Sequence, residues 1–226
     1  MLISDTCIIQ YYLKKGEQKV DNINAHNISK VDKETKNRQL QDPVFRPLSI
    51  KEIQPEGWLL NQLRIQADGL SGNLDKFWPD IKESKWIGGN AEGWERLPYW
   101  LDGFIPLAWL LNDEDMKSRA RFYVNYIIDH QRKNGWICPD DETAKKDLWA
   151  FFLILKVLVL YHDATEDERI EDVIRRALLY LDRHIDTVTL CGWAQMRWFE
   201  CMIAMWWLYE RTGEEWILNL AAKIQA

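Results

Sequence analysis

Three apolar stretches recur in this chain at a fixed interval, and no other feature constrains its fold as much. Residues 99–111, 148–161 and 198–209 are apolar on nearly every helical face, apart from Asp102 and Gly103 in the first, Lys156 in the second and Glu200 in the third. Trp100, Trp149 and Trp198 each stand near the start of one stretch, 49 residues apart. Amphipathic segments lie between them. In 115–130, Met116, Ala120, Tyr123 and Ile127 recur at spacings of three and four. In 167–185, Ile170, Val173, Ile174, Ala177, Leu178, Leu181 and Ile185 do the same, and a further segment begins at Glu214. A helix that is apolar all round must be buried, whereas one with a single stripe lies at the surface. A period of this size marks a helical-hairpin repeat. Inner buried helices alternating with outer amphipathic ones predict an all-α fold, an α/α toroid of hairpins, with an open solenoid as the alternative. Thr165 and Glu168 fit a capping box for the helix after the second polar turn.

The rest of the chain narrows the partners and the compartment. With 226 residues, 47% of them hydrophobic, a sizeable core is available. The net charge is −6, and basic pairs such as Lys14-Lys15 and Lys145-Lys146 are too short for a phosphate-binding stripe, which argues against nucleic acid. Residues 148–161 fall short of the roughly 18 apolar residues of a membrane span. Cys7, Cys138, Cys191 and Cys201 form no C-x-x-C pair and no zinc-ligand spacing, so they read as thiols in a reducing compartment. The N-terminus has no basic, then apolar, then small-residue pattern of a signal peptide, and a cytoplasmic location is expected. Residues 1–42 are polar without a helical or strand period, and read as a poorly ordered extension to a domain spanning 43–226. Within that domain a helix is expected over 58–67 and a long loop over 68–94. That loop is too aromatic for disorder, so it reads as functional.

Residues 86–103 are the most site-like segment. They hold Trp86, Trp94, Trp100 and Tyr99 together with Glu92, Glu95, Asp102 and Arg96 among four glycines. Indole faces stack on flat apolar surfaces, and carboxylates and a guanidinium give directional hydrogen bonds. The mixture suits a polyhydroxylated ligand such as a sugar. Pro98 suits the first turn of a helix, which puts Glu95 and Arg96 at its mouth, with Trp94 and Tyr99 beside them. In the 49-residue register Asp102, Phe151 and Glu200 are equivalent positions. Two acids at one position fit glycoside hydrolysis, which uses paired carboxylates. Local pairing is the structural alternative, with Arg197 three residues before Glu200. Trp94, Glu95, Arg96, Tyr99, Asp102, Trp149 and Glu200 are therefore the candidate substrate-binding residues, with Asp147, Gln195, Arg197 and Trp198 on the matching rim behind them. His130, His162 and His184 read as helix-end or surface residues.

Several motifs in order carry a family resemblance. They are 54–63 (Gln-Pro-Glu-Gly-Trp-Leu-Leu-Asn-Gln-Leu), 66–72 (Gln-Ala-Asp-Gly-Leu-Ser-Gly), 95–103 (Glu-Arg-Leu-Pro-Tyr-Trp-Leu-Asp-Gly) and Asn134-Gly135-Trp136. From about residue 47 onward the chain resembles the catalytic domain of the β-L-arabinofuranosidase group of glycoside hydrolases, once classed as a domain of unknown function. The resemblance implies a six-hairpin α/α barrel and a retaining hydrolase acting on arabinofuranosides. It also implies a cysteine nucleophile held on zinc by further cysteines and a glutamate in the second half of the barrel. Cys191 and Cys201 do not match that cluster, so no metal ligand and no cofactor is assigned within this chain. Asp102 stands where relatives tend to have Glu, and Leu153 near where they often have His; both departures point to a divergent branch or another sugar. Six hairpins at this period need roughly 300 residues, and about three are present here. The expectation is an incomplete toroid: an N-terminal half that supplies a sugar-binding wall, is inactive alone, and can self-associate through its open flank. Its catalytic residues are not assigned. The alternatives are a non-enzymatic helical-repeat module that binds a protein or carbohydrate partner, and an enzyme of a related α/α barrel class, such as an unsaturated-uronide hydrolase, built on Asp102.

Overall fold

A computed structural model describes residues 44–225, and every regular element among them is helical. The chain divides into Met1–Pro47 and Leu48–Ala226, and the described helices all belong to the second unit. The expected polar extension over 1–42 lies outside the described residues. No helix among them is long and apolar enough to cross a membrane.

The first helix, α1 (Gly57–Asp68), extends one residue beyond the expected span at each end. Its last carbonyls would otherwise be orphaned. Asn73 Nδ2 donates to the carbonyls of Ala67, Asp68 and Gly69 at 3.1, 3.1 and 2.8 Å. The loop expected over 68–94 is instead broken into short helical turns: α2 (Leu74–Phe77), α3 (Pro79–Lys82) and a 3-10 turn at Lys85–Ile87. Pro79 occupies the first turn of α3, where its missing N–H is harmless. Side chains from later helices hold this segment down. Trp100 Nε1 donates to the Ser71 carbonyl at 2.8 Å, and Arg119 pairs with Asp75 at 2.7 Å. A Cβ on Gly89 would stand 2.0 Å from the Glu83 carbonyl oxygen. Here glycine lets the chain approach itself rather than a ligand.

The remaining helices follow, the expected apolar and amphipathic ones interrupted by two five-residue helices, Glu142–Lys146 and Gly192–Met196, that are not expected from the sequence. They are α4 (Arg96–Leu110), α5 (Glu114–Asp129), α6 (Glu142–Lys146), α7 (Trp149–Thr165), α8 (Arg169–His184), α9 (Gly192–Met196), α10 (Cys201–Thr212) and α11 (Trp216–Gln225). Helix α7 packs against α4, α8 and α10. That arrangement is why it is apolar on every face: Phe151, Phe152, Ile154, Leu155, Val157 and Leu158 are all fully buried. Each such side chain contributes about 1.5–3 kcal/mol on burial. The amphipathic helices α5, α8 and α11 pack on α4, α7 and α10 respectively. Helix α8 buries the expected stripe from Ile170 to Leu181, with Ile185 just past its end.

Two expectations need correction. Trp198 does not begin an all-buried helix. It sits in a 3-10 turn (Trp198–Glu200), and α10 starts at Cys201. Helix α10 buries Cys201, Ala204, Met205 and Leu208 along one face and leaves Trp206 36% exposed, because its described neighbours cover only part of its circumference. The Thr165–Glu168 capping box does not form. Thr165 belongs to the last turn of α7, where its Oγ1 donates to the Tyr161 carbonyl at 2.7 Å and accepts from Asp167 N at 3.3 Å, and α8 begins only at Arg169, with Glu168 rather than Thr165 at its N-cap. Asp167 Oδ1 accepts from Arg169 N at 3.1 Å in its place.

His162, near the end of α7, packs edge-on against Trp207 of α10, with Arg211 Nη2 at 3.4 Å from its Nε2. Burial, and then the Arg211 charge, hold its pKa below the usual 6.5. A histidine with a depressed folded pKa stays neutral in the folded state while the unfolded chain takes up a proton. Its contribution is therefore intact above the unfolded pKa and lost as pH falls toward the folded value. Urea unfolding at about pH 7.5 and about pH 5.5 should show a smaller loss of stability in His162→Gln than in the wild type. Equal losses would exclude His162 as a source of acid sensitivity.

Candidate functional site

Helix α4 is started by Glu92 rather than by Glu95. Glu92 Oε1 accepts from Glu95 N at 2.7 Å and Arg96 N at 3.3 Å. Burial raises the Glu92 pKa against the lowering effect of those backbone bonds. The Glu95 carboxylate is thereby left for another partner. Its Oε2 accepts from Trp149 Nε1 at 3.0 Å, which joins the mouth of α4 to the first residue of α7.

Glu95, Tyr99 and Asp102 are spaced by four and three, so they share one face of α4. Trp149 and Lys156 are two turns apart and share a face of α7. Arg197 stands just before, and Glu200 at the end of, the 3-10 turn that precedes α10. Their contacts connect them into one strip. The Tyr99 and Trp149 rings lie 6.0 Å apart. Arg197 stands 5.1 Å from the ring centres of both Trp149 and Trp193, and donates to Tyr99 Oη at 3.1 Å. Burial raises the Tyr99 pKa, opposed by the Arg197 charge, so the phenol keeps its proton near neutrality. Further along, Lys156 Nζ lies 3.2 Å from Asp102 Oδ2 and 4.0 Å from Glu200 Oε2. The strip thus follows the seam where α4, α7 and the turn before α10 meet.

Asp147 fixes the geometry of this seam. Its Oδ1 accepts from the backbone N–H of Trp149 and Ala194 at 3.0 and 2.9 Å, and its Oδ2 accepts from Trp193 N at 2.9 Å. One buried carboxylate therefore caps both α7 and α9. Gly192 has φ +58°, and a Cβ there would stand 2.4 Å from Asp147 Oδ2. Only glycine lets the chain turn this closely over the carboxylate.

Five of the seven candidate residues (Glu95, Tyr99, Asp102, Trp149 and Glu200) lie on the seam. Trp94 and Arg96 do not join its contacts among the described residues. Arg96 lies over the Trp78 ring at 5.7 Å. Trp94 packs on the core, and its carbonyl accepts from Trp86 Nε1 at 2.9 Å. Sequence reasoning misses Lys156 and Trp193 as members of the seam. A lone lysine inside an otherwise apolar helix is the available signal for the first. Nothing local marks the second. Of the candidate residues, Asp102 Oδ1 and Trp94 Nε1 are buried without a hydrogen-bond partner among the described residues, as is Gln131 Oε1 elsewhere. Two surface pockets, of about 250 and 180 Å³, lie elsewhere and include none of the candidate residues.

The zinc–thiolate group implied by the family resemblance does not fit the described residues. Burial pushes the thiols of Cys138 and Cys201 up, away from the thiolate form that binds metal. Cys191 Sγ donates to the Lys146 carbonyl at 3.1 Å. Among the described residues no group of three or more His, Cys, Asp or Glu is placed to hold a metal ion. Compared with models of known families, with curated proteins and with solved structures, the chain matches none.

Replacing Asp147 by Ala leaves three buried N–H groups without their acceptor. Urea denaturation should show a loss of about 1–3 kcal/mol. Lys146→Ala, at the exposed neighbouring position, should stay within about 0.5 kcal/mol of wild type. A neutral Asp147→Ala would mean that the cap does not hold the seam.

Proposed function

We propose that the seam between α4 and α7 is a sugar-binding wall, and that the chain is a glycoside-hydrolase-like domain whose hairpins belong to an α/α toroid. The observation that carries this reading is the convergence of Asp102 and Glu200 on one ammonium group. Both lie against Lys156, so their nearest carboxylate oxygens stand at most about 7.2 Å apart. Paired carboxylates in glycoside hydrolysis are separated by roughly 5 to 5.5 Å in retaining enzymes and 6.5 to 9.5 Å in inverting ones, and this bound admits the first spacing and only the lower end of the second. Lys156 offsets one of the two negative charges and holds both carboxylates at the seam. Tyr99 and Trp193, 42% and 49% exposed, add the flat apolar surface that a sugar ring stacks on. In this reading the wall binds and orients the sugar, and its residues are assigned to binding rather than to bond cleavage.

A second reading is favoured by α1, which buries no residue and leaves Trp58 74% exposed and Ile65 56% exposed. An exposed apolar helix face suits a module that binds a partner protein.

The two readings separate in one titration. Neutral oligosaccharides added to the full chain should quench tryptophan fluorescence saturably. Tyr99→Ala should weaken binding about tenfold, the effect of losing roughly 1.4 kcal/mol of contact, without changing the helical circular dichroism. Aryl glycosides of the same sugars report any turnover. Neither binding nor turnover with any sugar would sink the first reading and leave the second.

A further inference from the structure

Arg197 is held in an unusual way. Its guanidinium stands against two indole rings, so its in-plane N–H edge is the route left for hydrogen bonding. Of its five donors, one reaches Tyr99 Oη, and among the described residues no carboxylate pairs with it. The nearby acids are engaged elsewhere: Glu95 accepts from Trp149 Nε1, and Glu200 lies by Lys156. Tyr99 Oη accepts from Arg197, so its own proton points to another acceptor, and none is supplied among the described residues. A half-buried cation and a phenol therefore place their free donors side by side at the edge of the wall. A partly buried charge without a counter-charge is costly, and a planar guanidinium fork matches a planar carboxylate.

We infer that the saccharide bound at this seam carries a carboxylate, which Arg197 and Tyr99 hold together while Trp193 supports the sugar ring. This rests on the sugar-binding reading above and narrows it to uronic-acid-containing glycans. The preference for a carboxylate over a sulfate ester follows from the planar fork.

The test uses the full chain and three sets of probes. These are galacturonate, glucuronate and mannuronate trisaccharides, the methyl ester of each, and 6-sulfated hexose trisaccharides. Calorimetry at low salt should show at least one acid bound roughly tenfold or more tightly than its ester, the scale of a charge-assisted hydrogen bond. Arg197→Lys keeps the charge but loses the fork, and should erase most of that preference; Arg197→Gln should erase all of it. Trp193→Ala should weaken acid and ester together. Thermal unfolding of each variant checks that the fold is retained, and Arg197→Lys carries the test if Arg197→Gln does not fold. Equal affinity for acid and ester would overturn the carboxylate inference and leave the sugar reading standing. Tighter binding of the sulfated set would overturn it in favour of a sulfate ester. No binding by any probe, together with none in the neutral titration, would overturn both.

Discussion

The complete burial of α7 is the constraint on which the rest depends. A helix with apolar side chains on every face is stable in water only when other helices surround it. Helices α4, α8 and α10 do so. Each of the three must then present its own apolar side to α7, which fixes which face of α4 turns inward. The polar face of α4 that carries Glu95, Tyr99 and Asp102 comes to the margin of that contact as a result. A site at the margin of the core needs no cavity of its own. It inherits the rigidity of the packing beneath it.

Lys156 is where this constraint is broken. An ammonium group on a buried helix is tolerated only with compensating charge or access to water. Asp102 and Glu200 supply the charge, and side-chain exposure of 21–24% across the three supplies some access. Pro106 adds a second irregularity close by. Lacking an N–H, it cannot donate to the carbonyl of Asp102 four residues earlier. Departures from regular helix chemistry therefore gather near one point of the seam, as they do where function outweighs stability.

Much of the helical core was legible in the sequence, because burial writes itself into the period of the apolar residues. The stripe on α8 and the all-round hydrophobicity of α7 are direct records of how many neighbours each helix has. Helix α10 misleads for the same reason. Its composition suggests full burial, whereas its described neighbours cover one face. The site was legible only in part. Glu95, Tyr99 and Trp149 could be named from their neighbours in the chain, but the charge that Asp102 and Glu200 share sits on Lys156, 54 and 44 positions away in sequence. The glycines of 86–103 pointed toward a ligand, and at Gly89 the structure puts backbone in that space. Local pattern reports that a close approach occurs; it does not say what approaches.

The double cap at Asp147 has a consequence for thermodynamics. Because one carboxylate holds the first turns of α7 and α9 together, the backbone that carries Trp193 is fixed by the protein's own hydrogen bonds. A ligand meeting such a surface loses little of its binding energy to the immobilisation of side chains. Weakening that cap would leave every ligand contact available and still lower affinity, through an unfavourable entropy rather than a missing bond. The selectivity of the wall would then depend on a residue that no ligand touches.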